Sequence, residues 1–176
     1  MSKVQKPPIK KIAISTGGGD APGLNAVIRA AALSAIKRGW EVYGVRDGFH
    51  GILSPEEYPD GGFIPLTPER IRGITHLGGT ILGTSNRNNP LKYPILRSDG
   101  TTEEVDRSDE IVRGFRLHHI DALISVGGDG SLAISSVLSR SLSIVLGTEI
   151  KRNPFFARTL AIASEPSPPT VISASM

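Results

Sequence analysis

The sequence predicts an α/β domain of three layers, in which a mostly parallel sheet carries helices on both of its faces. Three short apolar runs, near residues 11–16, 41–45 and 121–126, have the length and composition of buried strands. Helix-forming stretches follow the first and the third run, at residues 24–37 and 132–138. Because strands that alternate with helices build parallel sheets, this order is typical of an α/β fold.

The composition limits the size of the fold and the class of its partners. With 176 residues, of which 39% are hydrophobic and 21% charged, the chain suits one globular domain. The absence of cysteine excludes disulfides and thiolate chemistry, and together with a basic, proline-containing start without an apolar core it favours the cytoplasm over secretion or a membrane. A net charge of +3 with only 5% aromatic residues favours small anions such as phosphate esters over nucleic acid.

Three glycine-rich turns lie at or beside the ends of predicted strands. They are residues 17–20 (GGGD), 78–80 (GGT) and 127–131 (GGDGS). Glycines let phosphate groups approach the backbone, and the N–H groups at the start of the following helix attract anions. Asp129 can reach a Mg²⁺ ion that those phosphates hold, and Arg87, beyond the second turn, can bind a phosphate through two hydrogen bonds. Each turn alone also fits a plain strand-to-helix connection, with Asp129 as a helix cap, but their recurrence at strand ends favours a polyphosphate site. The spacing matches neither a Walker loop nor a dinucleotide fingerprint.

The remaining segments carry weaker signals. Asp47 and His50 resemble an acid and a base, but an Asp-Gly dipeptide favours an ordinary turn. Residues 62–66 suggest a short strand, residues 67–78 a helix that starts at a threonine cap, and residues 88–102 an exposed hairpin or lid.

Two further groups invite a metal site that the pattern does not favour. The five acids between residues 103 and 110 fit a helix start that complements the helix dipole better than a metal site. The pair His118 and His119 has no third ligand nearby.

At four places the sequence resembles the 6-phosphofructokinases. The matching stretches, in the same order and spacing, are residues 16–26, 47–51, 78–85 and 124–131. The resemblance runs from about residue 10 to about residue 140 and covers the nucleotide-binding, N-terminal part of that family, so the fold that it implies is incomplete. It implies transfer of a phosphoryl group from ATP or pyrophosphate to fructose 6-phosphate in glycolysis, with Mg²⁺ as cofactor, in a cytoplasmic homo-oligomer.

Carried over residue by residue, the resemblance implies a set of donor-binding residues. These are Gly19, Asn86, Arg87, Gly128, Asp129, Gly130 and Ser131. Asp129 would also serve the magnesium ion. Gly130 favours ATP, because pyrophosphate-dependent members tend to carry an aspartate there. An effector site that some members build with two helix arginines is not implied, since Leu33 stands one turn after Arg29.

The sequence departs from the family after residue 140. Residues 143–147 fit the next strand, but residues 148–154 do not supply the Pro-x-Thr-Ile-Asp-Asn-Asp segment that bears the family's catalytic base. No catalytic residue is therefore predicted. We expect a donor-binding domain at residues 1–140, a divergent and disordered tail at residues 141–176, and an exposed sheet edge that promotes self-association.

Four functions remain open at this point. The family's ATP-dependent reaction, with little activity in these 176 residues alone, stands first. A pyrophosphate-dependent enzyme and a non-catalytic nucleotide-binding remnant are the alternatives, and a lipid or NAD kinase is the most distant one.

Overall fold

The computed structural model describes residues 9–17, 23–85 and 89–140, and the backbone of residues 143–146. Its strands are β1 (Lys11–Thr16), β2 (Glu41–Val45), β3 (Phe63–Pro65), β4 (Tyr93–Leu96), β5 (Thr102–Val105), β6 (Ala122–Val126) and β7 (Ser143–Leu146). Its α-helices are α1 (Leu24–Ile36), α2 (His50–Leu53), α3 (Ser108–Leu117) and α4 (Asp129–Leu138).

The main sheet has five strands in the order β3-β2-β1-β6-β7. β2, β1, β6 and β7 run parallel, and β3 joins the edge antiparallel to β2. The central strands β1 and β6 are almost entirely buried, as expected for parallel strands with both faces covered. The prediction of a mostly parallel α/β sheet is therefore confirmed, with one antiparallel strand added at the edge.

Side chains of successive strand residues point to opposite faces and build two cores. Ile12 and Ile14 pack with Ile28 of α1 on one face. Ala13 and Leu123 pack on the other face with α2, α3 and α4. Helices thus cover both faces of the sheet, which confirms the three predicted layers.

The connections that leave β1 and β6 diverge. β1 leads through α1 on one face to β2, whereas β6 leads through α4 on the opposite face to β7. In open parallel sheets such a divergence leaves a crevice at the carboxyl ends of the two strands, and ligands bind there. The fold therefore directs attention to Gly17 and Gly127, which directly follow β1 and β6 and therefore lie at this crevice.

Several local predictions were correct. The expected short strand is β3, the expected hairpin is the antiparallel pair β4 and β5, and the strand expected after residue 142 is β7, parallel to β6. The proposed domain boundary at residue 140 precedes β7 and stays a prediction. Of the tail expected at residues 141–176, residues 143–146 form β7, and the others lie outside the described residues.

The predicted helix over residues 67–78 is wrong. The Thr67 hydroxyl accepts a hydrogen bond from the Arg70 N–H (3.3 Å) as a cap would, but the chain then forms turns and one 3₁₀ turn at Ile74–His76. Gly73 has φ +72°, which breaks a helix, and the burial of Ile71 and Ile74 against the sheet sets the path instead.

The five acids between residues 103 and 110 divide into three groups. Asp106, between β5 and α3, accepts from the Ser108 N–H (2.8 Å). Asp109 and Glu110 lie in the first turn of α3, where they complement its dipole as predicted. Glu103 and Glu104 belong to β5 instead, where Glu103 contacts Arg97 in an ion pair across the hairpin. The predicted helix start is therefore correct for Asp109 and Glu110. It is wrong for Glu103 and Glu104, because these two residues pair with β4 in the hairpin.

Among the helices that the structure describes, none has both the length and the apolar character needed to cross a bilayer.

Candidate functional site

The turns after β1 and β6 lie directly against each other. The Gly17 N–H donates to the Val126 carbonyl (2.8 Å). A Cβ atom at Gly127 would lie 2.7 Å from the Gly17 carbonyl oxygen, and a Cβ atom at either glycine would overlap the Ser131 hydroxyl. Glycine at both positions therefore leaves room for the Ser131 side chain, which lies between the two turns.

The N-terminus of α4 is open to solvent. Gly128 is its N-cap residue and makes no side-chain cap hydrogen bond, and Asp129 is its first residue. Gly128, Asp129 and Gly130 are exposed, and a Cβ at either glycine would meet no atom within 4 Å. Helix geometry leaves the first N–H groups without partners inside the helix, so this end offers donors to an anion. The alternative in which Asp129 caps α4 is not what the structure has.

Asn25 holds the glycine-rich turn at residues 78–80 beside β1. Its side chain is 1% exposed and donates to the Leu77 carbonyl (3.0 Å), while its oxygen accepts from the Ile81 N–H (2.8 Å). At the end of β1, the Thr16 hydroxyl donates to the Gly83 carbonyl (2.9 Å). The segment at residues 77–83 is thus tied to β1 and to the start of α1.

A small cleft, with a cavity volume of about 40 Å³, lies beside these turns. Its polar wall comes from the ends of the strands and from the turns: Ser15, Gly17, Asp47, Gly48, His50, Ser85 and Ser131. Its apolar wall comes from the face of the sheet that carries α2 and α4 and from the start of the hairpin: Phe49, Leu53, Pro90, Tyr93 and Ile134. The structure therefore brings Gly17 and Ser131, from two of the glycine-rich turns, onto one cavity with Ser85, which lies five positions beyond the turn at residues 78–80. A polar end beside an apolar end suits an amphipathic anion.

The side chains of Asp47 and His50 make their hydrogen bonds within their own segment. The Asp47 carboxylate accepts from the Tyr58 hydroxyl (2.7 Å), and the His50 ring lies 3.0 Å from the Glu57 carboxylate. Burial, and then the hydrogen bond to Asp47, raise the pKa of Tyr58 above its ordinary range. Asp47 (φ +47°) and Gly48 (φ +68°) form a left-handed turn. These contacts match the predicted turn better than an acid and a base for catalysis.

The chemistry of Asp129 fits a cation that is shared with a ligand. No cluster of three or more His, Asp or Glu side chains suited to a metal occurs among residues 9–17, 23–85 and 89–140. Mg²⁺ commonly binds through one or two carboxylates, several waters and the phosphates of its substrate. One exposed carboxylate at the anion-attracting end of α4 meets that requirement.

The sequence-predicted donor residues fall into two sets. Gly128, Asp129, Gly130 and Ser131 lie together at the start of α4. Gly19, Asn86 and Arg87 lie outside the described residues, so their roles stay predictions.

Three residues that shape the site were not singled out from the sequence: Thr16, Asn25 and Tyr58. Asn25 belongs to a stretch that matched the resemblance, and its polar side chain on an otherwise apolar helix face was the available signal.

The model of the phosphofructokinase family matches residues 11–151. The chain belongs to the phosphofructokinase family. The match covers all three glycine-rich turns.

Curated relatives agree with this assignment. The chain is 43% identical over 141 residues to ATP-dependent 6-phosphofructokinase 2 of Clostridium perfringens, covering 80% of this chain and 37% of that protein. It is 46% identical over 127 residues to ATP-dependent 6-phosphofructokinase 1 of Synechocystis sp., covering 72% of this chain and 33% of that protein. The chain thus spans about a third of the length of these curated relatives.

A solved phosphofructokinase has the same fold over most of the chain. The structure of the Pichia pastoris phosphofructokinase in the T-state superimposes with a TM-score of 0.60 at 27% identity, over 82% of this chain and 15% of the other.

Proposed function

We propose that this chain is the donor-binding part of an ATP-dependent 6-phosphofructokinase. The observation that carries the proposal is the contact between the turns after β1 and β6, where Ser131 occupies space that only Gly17 and Gly127 leave free. This contact stands at the divergence of two strand connections, where parallel sheets bind ligands. The names of the curated relatives support the reaction class, transfer of a phosphoryl group from ATP to fructose 6-phosphate.

Catalysis of phosphoryl transfer consists mostly of positioning and of stabilising negative charge. In this chain the N–H groups at the start of α4 would hold donor phosphates, and Ser131 would fix the first turn of α4 against β1. Asp129 would hold Mg²⁺, which neutralises phosphate charge when it is bound. Gly19, Asn86 and Arg87 are proposed as further donor contacts on the strength of the family resemblance.

ATP is the proposed donor for two reasons. The apolar wall around Leu53, Tyr93 and Ile134 gives a nucleoside a surface that pyrophosphate does not need. The space around Gly130 is open, so no atom of this part of the chain would crowd the α-phosphate of ATP. Pyrophosphate is the alternative donor.

The 176 residues contain no Pro-x-Thr-Ile-Asp-Asn-Asp segment. General-base catalysis needs a group within hydrogen-bond reach of the sugar hydroxyl. We therefore propose that these residues alone bind the donor without appreciable turnover, and that they serve glycolysis in the cytoplasm as part of a complete, oligomeric enzyme. A non-catalytic nucleotide-binding protein is the second candidate, supported by the same sequence observation.

Titration calorimetry with ATP, pyrophosphate and fructose 6-phosphate, each in the presence of Mg²⁺, tests this proposal. We expect saturable binding of ATP, weaker binding of pyrophosphate and no binding of fructose 6-phosphate. Asp129→Ala should weaken ATP binding, whereas Asp109→Ala, which removes an acid from the first turn of α3 instead, should not. Absence of ATP binding, or equal effects of the two variants, would overturn the donor site.

A coupled assay for fructose 1,6-bisphosphate addresses turnover separately. Formation at ordinary enzyme rates by the 176-residue chain would overturn the proposal that these residues are inactive alone.

A further inference from the structure

Asp47 joins two of the segments that border the cleft. Its N–H donates to the Leu82 carbonyl (2.9 Å), and its carboxylate accepts from the Tyr58 hydroxyl (2.7 Å). From the turn after β2 it therefore contacts both Tyr58 and the glycine-rich segment at residues 78–85, which begins more than thirty positions after Asp47.

The contact between Asp47 and residues 78–85 depends on the glycine at position 83. Gly83 has φ +77°, and a Cβ atom there would overlap the Asp47 carboxylate. The carboxylate thus packs against bare backbone. On its other side, the Gly83 carbonyl accepts from the Thr16 hydroxyl (2.9 Å). Gly83 is consequently held between β1 and Asp47, two residues before Ser85 enters the cleft.

The backbone of Asp47 indicates that these contacts decide its conformation. Its φ of +47° is uncommon for a residue with a Cβ atom, and such conformations persist where the surroundings over-determine them. In another Asp-Gly turn, Asp99 accepts from the N–H (2.9 Å) and the hydroxyl (2.6 Å) of its near neighbour Thr101 and has no such conformation. The Asp47 turn thus does more than reverse the chain, which is all that the sequence suggested.

We propose that Asp47 is a positioning residue for the phosphate donor. It acts through Gly83, fixing the course of the segment that carries Ser85 into the cleft, while its own carboxylate accepts from the Tyr58 hydroxyl. The inference rests on the proposed donor site and adds a role for a residue that does not contact the donor itself.

Three variants of the 176-residue chain test it by calorimetry with ATP and Mg²⁺, alongside thermal unfolding. Asp47→Ala removes the carboxylate and should weaken ATP binding about tenfold, the lower end of what loss of a residue that orients direct ligands costs in metal sites. Asp47→Asn should bind within about threefold of the native chain, because asparagine tolerates the left-handed backbone and its amide oxygen still accepts from Tyr58. Asp99→Ala is the matched control from the exposed turn and should leave ATP affinity unchanged.

Hydrogen exchange of residues 78–85 gives a readout that needs no donor. Protection there should fall in Asp47→Ala and persist in Asp47→Asn and Asp99→Ala.

The outcomes separate the inference from the function on which it rests. If the native chain binds no ATP, the donor site fails and the inference fails with it. If the native chain binds ATP and Asp47→Ala binds it equally well, the inference alone is overturned. The same holds if Asp47→Asn loses as much affinity as Asp47→Ala, because a positioning contact of this shape does not need the charge.

Discussion

Replacing Asn25 with alanine should both destabilise the protein and loosen the proposed donor site. Asn25 is 1% exposed at the start of α1, and its side chain serves the segment at residues 77–81 as donor and as acceptor. Alanine would leave the Leu77 carbonyl and the Ile81 N–H without these partners. Since more than fifty positions separate Asn25 from both, no local hydrogen bond replaces them.

The expected cost can be worked from these contacts. Two neutral hydrogen bonds contribute about 1 kcal/mol each, and a buried group left without a partner costs about 1–3 kcal/mol. Leu77 is 53% exposed, so water can reach its surroundings, and the larger penalty falls on the Ile81 N–H. The free energy of unfolding should therefore drop by about 2–4 kcal/mol, a large part of the roughly 5–15 kcal/mol of an ordinary domain.

Urea unfolding, followed by fluorescence of the single tryptophan Trp40, measures this loss. Asn89→Ala is the matched control, because Asn89 is exposed and its side chain accepts one local hydrogen bond, from the Leu91 N–H (3.0 Å). That change should cost about 0.5–1 kcal/mol, as loss of a helix cap does. Equal costs for Asn25→Ala and Asn89→Ala would refute the reasoning, since a buried link between distant segments would then be worth no more than a surface cap.

Three further predictions follow from the site and from α3. Gly17→Ala should lower the free energy of unfolding by about 1–3 kcal/mol, because its methyl group overpacks against Ser131. Adding Ser131→Gly should restore the melting temperature. If the double variant stays destabilised, overlap with Ser131 is not the cause. Gly130→Asp should keep the melting temperature and weaken ATP binding by about 1 kcal/mol, roughly fivefold, as measured by calorimetry. Pyrophosphate binding should weaken less, and equal losses of affinity for ATP and pyrophosphate would contradict the proposed preference for ATP. Arg107 holds the pKa of Glu110 below its usual value, so this pair stabilises the fold above the unfolded pKa of about 4.3 and loses that contribution as pH falls through the lower folded pKa. Glu110→Gln should therefore lose less unfolding free energy than the native chain between about pH 5 and pH 3, and identical losses would rule the pair out.

The sheet could be predicted because its signal is local. Each central strand is a short apolar run that ends at a glycine or a turn, and the rule that parallel strands share one carboxyl edge places the turns after β1 and β6 together. The adjacency of β1 and β6, whose paired residues lie 110 positions apart, was not predicted. The failed helix at residues 67–78 had a correct cap at Thr67, but burial of Ile71 and Ile74 outweighed the local preference.

The contacts that hold the site together could not be predicted in the same way. Asn25 and Thr16 form hydrogen bonds with partners more than fifty positions away, and no sequence pattern around these residues indicates which partners they have. Asp47 shows the same limit. As a sequence signal it is a turn residue, and only the approach of Gly83 reveals what its carboxylate does.

The glycines of the predicted phosphate site divide into two kinds that look identical in the sequence. Gly17 and Gly127 are required by the protein itself, because a Cβ at either would overlap Ser131. Gly128 and Gly130 border open space, so the fold alone does not require glycine there. A glycine in the first turn of a helix lowers helix stability relative to alanine, and a ligand that approaches the backbone gives a reason to keep it. The open glycines therefore point to the side of α4 on which a donor phosphate would lie, and Gly130→Asp should affect binding where Gly17→Ala affects folding first.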